Sequence, residues 1–313
     1  MSTAKLKLKF YQIDVFTRTP YEGNPLAIVH LPPKQNIPLE DKQRIAREFN
    51  LSETVFLHEN DENGGEIKID IFTPTVELPF AGHPTIGVGW HLLAHLQRDR
   101  TAATLLTKAG SVPVVQVPGT AIDKVKLEVP IDFRVHTPHA DPAIMKDQAR
   151  LTADDYVNGT NEPHVVASVV KGMTFVLLQL KTTDGLGRFG PYAQITTISS
   201  LGDWEGFVGV YAFVILGEEV GNGGEVNGVI RVQTRMFNAA LEDPATGSAA
   251  CTLAGWLSLA RGKGKWAVEI VQGVEMGKKS EIGVVVEVGD NEKIERIELA
   301  GSAVQVMEGH LYL

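Results

Sequence analysis

Two stretches of this chain share one pattern, and that repetition limits what the chain can fold into. The first is FTPTVELPFAGH, starting at Phe72, and the second is FNAALEDPATGS, starting at Phe237. Phe72, Glu77, Pro79 and Gly82 recur as Phe237, Glu242, Pro244 and Gly247, every one displaced by 165 residues. Behind each copy comes a run that is apolar nearly all round, PTIGVGWHLLAHLQ over 84–97 and TGSAACTLAGWLSLA over 246–260. A helix without a polar face must be covered on most sides. The repeat therefore predicts two similar halves, each a curved sheet wrapped round one buried helix. A length of 313 residues also favours two cores over one.

The rest of the chain supplies the strands. Leu6, Leu8 and Phe10 alternate with lysines, and LAIVH follows the GNP turn at 23–25. PLEDKQRIAREFN over 38–50 has acids in its first turn, with Ile45, Ala46 and Phe49 on one side, and Asn50 is placed to stop the helix in a left-handed conformation. TVFLH and EIKIDIF read as strands joined at Asn63-Gly64, a hairpin signal. Further strands are expected at VPVVQV, VKLEV, TFVLLQL, VYAFVIL and VIRVQTRMF. Between Phe133 and Pro163 the chain is rich in Pro, His, Asp and Asn, and the start of that segment reads as the crossing between domains.

The repeated junction carries the chemistry. In each copy a strand runs into a proline turn, a glycine permits close approach, and a helix begins. Pro84 suits the first helical position, where a missing N–H costs nothing. Each helix start offers unpaired N–H groups and a positive dipole end, a seat for a carboxylate. If the halves face one another, both starts converge on one cleft with His83 and Asp243 at its mouth. A histidine or aspartate there serves equally well as a cap or a solvated group. Glu53, in NLSETVF, is followed by strand residues, so a capping box with Asn50 does not apply. A carboxylate among apolar strand neighbours is expected to have a raised pKa suited to proton transfer.

Other motifs carry less. GLGRFG over 185–190 fits a dinucleotide fingerprint in letters, but no amphipathic helix follows it, so a flexible loop is expected. His91 and His95 stand one helical turn apart with Leu92 where a zincin has glutamate, so they read as satisfied structural residues and not as a metal site. Cys251, the one cysteine, reads as a packed thiol. A net charge of −9 without a basic cluster argues against nucleic-acid or anionic-membrane partners. The N-terminal stretch has no signal-like apolar core, and the expected location is cytoplasmic.

YQIDVFTRTPYEGNPLAIV, NLSETVFL, FTPTVELPFAGHPTIG, EDPATGSAACTLAGWL and QGVEMGKKS occur in this order, and with the closing AGSAVQVMEGHLYL they resemble the phenazine-biosynthesis PhzF-like family. That resemblance implies the diaminopimelate epimerase-like fold, an α/β architecture of the α+β type. Its two similar domains, each a curved, mostly antiparallel sheet or barrel around a central buried helix, fall at 1–130 plus 300–313 and at 131–299. It implies a homodimer and a cofactor-independent, metal-free isomerase acting on a small carboxylate-bearing substrate. Carried over residue by residue, the family's proton-shuttling glutamate falls on Glu53, its histidine on His83 and its aspartate on Asp243. Gly82, Pro84 and Thr85, with Thr246, Gly247 and Ser248, would bind substrate at the two helix starts. The two thiols of diaminopimelate epimerase fall on Ala81 and Thr246, which disfavours racemisation by paired cysteines. Lys278-Lys279 stands where relatives often show Arg-Pro. An epimerase or lyase of another type, or a non-catalytic carboxylate binder, is the alternative.

Overall fold

Alternating burial along Lys7–Val15 opens the first of two sets of strands. The computed structural model describes residues 6–313 apart from 34, 60–64, 97–98, 118–123, 141, 160–161 and 222–224, so the Asn63-Gly64 signal lies outside the described residues. The chain divides into two units, Met1–Glu128 with Ala300–Leu313, and Val129–Leu299.

The first unit contains β1 (Lys7–Val15), β2 (Asn24–Leu31), α1 (Leu39–Phe49), β3 (Glu53–His58), β4 (Ile67–Phe72), β5 (Glu77–Leu78), α2 (Gly82–Trp90), β6 (Ala102–Thr107), β7 (Gly110–Gln116) and β8 (Lys124–Glu128). From β1 to β4 the successive pairings are antiparallel, parallel and antiparallel. β4 then pairs antiparallel with β5 and parallel with β6, and β6 antiparallel with β7. The chain's last strand pairs with both β1 and β8, so the ladder returns on itself. α2 lies within that ring and packs against β1, β2, β3, β6, β7 and β8. On the outside, Ile45 and Ala46 of α1 join Leu8, Val29, Leu31, Phe56 and Phe72 in a second apolar layer. Asn50 ends α1 with φ 51° and ψ 34°, the left-handed stop expected there.

Glycine lets the enclosed helix approach its walls. A Cβ on Gly87 would lie 2.5 Å from Leu26 Cδ2 and 2.9 Å from Val15 Cγ2. Gly87→Val is therefore expected to cost about 1–3 kcal/mol through overpacking, read as a lower midpoint in denaturant. An unchanged midpoint would mean that the ring yields at that point.

The second unit contains β9 (Arg134–His139), α3 (Pro142–Asp147), β10 (His164–Val170), β11 (Met173–Gln179), α4 (Thr183–Arg188), β12 (Phe207–Val220), β13 (Gly228–Asn238), β14 (Leu241–Asp243), α5 (Gly247–Leu259), β15 (Gly264–Gln272), β16 (Ser280–Val288) and the start of β17 (Ile294–Tyr312). From β10 to β13 the pairings are again antiparallel, parallel and antiparallel. β13 pairs antiparallel with β14 and parallel with β15, and β15 antiparallel with β16. The order of senses matches β1–β7 strand for strand. α5 packs against β10, β11, β15 and β16. The duplicated motif even keeps its register, with Phe72 opposite Glu77 and Phe237 opposite Glu242.

Four local expectations are corrected. α2 starts at Gly82, because the extended Ala81 accepts both the Thr85 amide (3.3 Å) and the Thr85 hydroxyl (2.6 Å). Pro84 thus takes the third helical position, still within the turn that needs no N–H. The apolar run does not stay α-helical, since His91–Leu96 forms a π-helix. GLGRFG lies largely in a short helix, not a loop, with Thr182 Oγ1 accepting from Gly185 N at 3.0 Å. The start of the segment after Phe133, read as the crossing, is the strand β9, paired antiparallel with β10. Among the described residues no helix is long and apolar enough to cross a membrane.

Candidate active site

Glu53 opens β3, and His83 is the second residue of α2. The two meet because α2 starts beside the end of the ring where β2 and β3 begin. His83 Nδ1 lies 2.9 Å from Glu53 Oε2, with side-chain exposures of 5% and 17%. The other ring nitrogen, Nε2, lies 3.2 Å from the main-chain oxygen of Asn24. A peptide oxygen can only accept, so Nε2 carries a hydrogen and donates it there. This fixes the ring. The Glu53–His83 contact then holds one proton, on Nδ1 facing a carboxylate or on Glu53 facing a neutral Nδ1.

Burial pushes Glu53 upward, but the hydrogen bond and charge of His83, helped by Ser52, outweigh it and leave its carboxyl below the ordinary range. The raised value expected from the strand context is thereby reversed. The apolar neighbours are present, and the partner thirty residues away decides the direction.

The rest of this helix start is more restricted. The amides of Gly82 and His83 have no intrahelical acceptor. Pro84 is buried, and fully buried Thr85 directs its hydroxyl to Ala81. Asn24 and Ser52 support the pair, with Ser52 Oγ 3.1 Å from Asn24 Oδ1. Sequence reasoning did not single them out. The available signal was the GNP turn, where Gly23 at φ 69° has no room for a Cβ beside the Val15 carbonyl.

In the second unit Asp243 ends β14, and Thr246 is the residue before α5. Thr246 Oγ1 lies 2.5 Å from Asp243 Oδ2. Gly247 is buried and Ser248 half-buried at the first two helical positions, so their amides lack intrahelical acceptors. Both positions that hold thiols in diaminopimelate epimerase precede helices here, as Ala81 and Thr246. Cys251 is buried inside α5, and burial pushes its thiol far up. The glutamates of the repeat take cations: Glu77 meets Lys108 at 2.5 Å, and Glu242 meets buried Arg235 at 2.7 Å. Lys279 pairs with Glu281 at 2.8 Å on the surface.

His91 is half satisfied. Its Nε2 lies 3.0 Å from His30 Nε2, and His30 Nδ1 lies 2.8 Å from Glu59 Oε1. His91 Nδ1 is buried with no partner among the described residues. Burial lowers both imidazoles.

The family described as phenazine biosynthesis-like protein matches residues 13–309 of this chain. A trans-2,3-dihydro-3-hydroxyanthranilate isomerase of Pseudomonas fluorescens is 32% identical over 308 residues, covering 96% of this chain and 98% of its own. An uncharacterized isomerase of Pasteurella multocida is 31% identical, covering 97% of this chain and 94% of its own. Among solved structures, a phenazine biosynthesis protein of the PhzF family from Bacillus anthracis has a TM-score of 0.76 at 22% identity, over 98% of this chain and 100% of that one. A hydroxyproline epimerase from Agrobacterium vitis has a TM-score of 0.56 at 14% identity, over 98% of this chain and 93% of that one. These last two likenesses are of fold.

Proposed function

The chain belongs to the phenazine biosynthesis-like protein family, and on that premise we propose that it is an isomerase moving a proton on a small unsaturated or cyclic amino or hydroxy carboxylic acid. Glu53 takes the proton from one carbon and returns it to another. The observation carrying this reading is the Glu53–His83 contact with the ring fixed by the Asn24 carbonyl. A base held with one defined exchangeable proton, largely out of water, is what a proton relay requires. The lowered pKa of Glu53 keeps it a carboxylate before substrate arrives.

The amides of Gly82 and His83 offer donors to a substrate oxygen as negative charge develops on it. Asp243, held by the Thr246 hydroxyl, is the acceptor for a substrate amine or hydroxyl, and Gly247 and Ser248 are the donors for its carboxylate.

The test uses trans-2,3-dihydro-3-hydroxyanthranilate, named for the Pseudomonas fluorescens relative, together with a panel of cyclic amino and hydroxy acids, incubated in heavy water. The expected result is an isomer with an unchanged carbon skeleton and deuterium at one carbon. No exchange and no isomer across the panel would count against this reading and favour a carboxylate binder.

A further inference from the structure

Asp243 and Thr246 are backed by a buried hydrogen-bond network. Gln272, at the end of β15, is fully buried. Its Nε2 lies 2.7 Å from the Asp243 main-chain oxygen and 3.2 Å from Thr246 Oγ1. Its Oε1 lies 2.9 Å from Tyr211 Oη and 3.3 Å from the Thr246 amide. Thr234 Oγ1 lies 2.9 Å from Tyr211 Oη. The following residue, Gly273, turns with φ 76°, and a Cβ there would stand 2.7 Å from the Pro244 carbonyl. Only glycine lets the chain pass close enough for Gln272 to reach Asp243.

The polarity follows from the two peptide groups. The Asp243 carbonyl only accepts and the Thr246 amide only donates, so the Gln272 amide has one orientation. Tyr211 must then donate to Oε1, and its oxygen receives the Thr234 hydroxyl. Thr246 Oγ1 receives a Gln272 hydrogen, so its own hydrogen points to Asp243 Oδ2. That oxygen is thereby kept as an acceptor.

The geometry points to Gln272 as the positioning residue of this site: its amide directs the Thr246 hydroxyl onto Asp243, keeping that carboxylate oriented as an acceptor for a substrate ammonium or hydroxyl donor. The assignment rests on the reading of Asp243 as a substrate-holding group. A hydrogen bond to the charged form lowers a carboxyl's pKa, and losing a charge-assisted one raises it by about one unit.

Carbon-13 carboxyl titration of Asp243, with three-bond couplings for the Thr246 side-chain torsion, tests this on the full chain. Thr246→Val is expected to raise the Asp243 midpoint by about one pH unit. Gln272→Leu is expected to raise it comparably and to average the Thr246 torsion, while the double variant rises no further. Tyr211→Phe leaves the Nε2 bonds in place and is expected to leave the Asp243 midpoint unchanged. A wild-type midpoint and a single torsion in Gln272→Leu would overturn the assignment. Should that variant not fold, the wild-type Gln272 side-chain amide protons serve instead. Slow solvent exchange is expected, and fast exchange overturns the assignment. Turnover is read separately on Asp243→Asn. Normal kcat and KM there would remove the substrate role of Asp243 without altering the titration result.

Discussion

Glu53→Gln will lower turnover by about 10²–10⁴-fold while leaving the melting transition nearly in place. Glutamine has the shape of glutamate and cannot exchange a proton as an acid or base. Because His83 donates through Nε2 to the Asn24 carbonyl at 3.2 Å, its neutral form presents a bare Nδ1 to residue 53. A glutamine amide can donate to that nitrogen, so the contact survives as a neutral pair and the helix start keeps its place. The loss is then confined to chemistry. A factor of 10³ corresponds to about 4 kcal/mol of transition-state stabilisation. The pH profile offers a second check. In the proposed role Glu53 acts as the carboxylate, which persists above its pKa, and that pKa is lowered in the folded chain. The acid limb of kcat/KM should therefore lie below the ordinary glutamate range. Normal turnover in Glu53→Gln would assign the proton to another group.

How far the sequence foretold this site depends on whether the informative contact was local. The repeat was legible because Phe72 and Glu77, like Phe237 and Glu242, are partners across a tight turn, so structural identity appears as letter identity at short range. Both buried helices were legible because they lack a polar face. β9 was hidden, since RVHTPH is mostly exposed and carries a proline, leaving no apolar alternation to read. The pKa direction of Glu53 was misjudged for a similar reason. Its strand neighbours gave the burial, while His83 and Ser52, which decide the sign, reach it through folding of the ring and the turn before the strand. Gln272 was present in a recognised segment, yet its role required knowing that Gly273 turns left-handed beside Pro244. Motif letters named the candidate groups, and only the fold assigned directions to their hydrogens.

Asp70→Asn is expected to cost about 3–5 kcal/mol, because it strands a buried cation. Asp70 lies opposite Phe56 across β3 and β4 and is 6% exposed. Lys42 comes down from α1 with its ammonium 2.5 Å from Asp70 Oδ2 and 5.7 Å from the centre of the Phe56 ring. His58 Nε2 approaches the same oxygen at 2.7 Å. Asparagine keeps the shape but removes the charge that compensates Lys42, which is 7% exposed. Burial raises the Asp70 carboxyl, yet hydrogen bonds from His58 and Lys42 carry it far below the usual range. The folded chain thus releases this proton more readily than the unfolded chain. The contribution is complete above the unfolded pKa of roughly 4 and disappears as the pH falls toward the folded value. Denaturant melts at pH 7 and pH 3 should show the wild type losing stability on acidification, with Asp70→Asn losing less. Adding Lys42→Met should recover most of the cost, since an apolar side chain in place of the unpaired ammonium leaves no charge to bury. If the double variant is no more stable than Asp70→Asn alone, the ion pair does not clamp α1 to the sheet, and the apolar layer of Ile45, Ala46 and Phe56 holds it unaided.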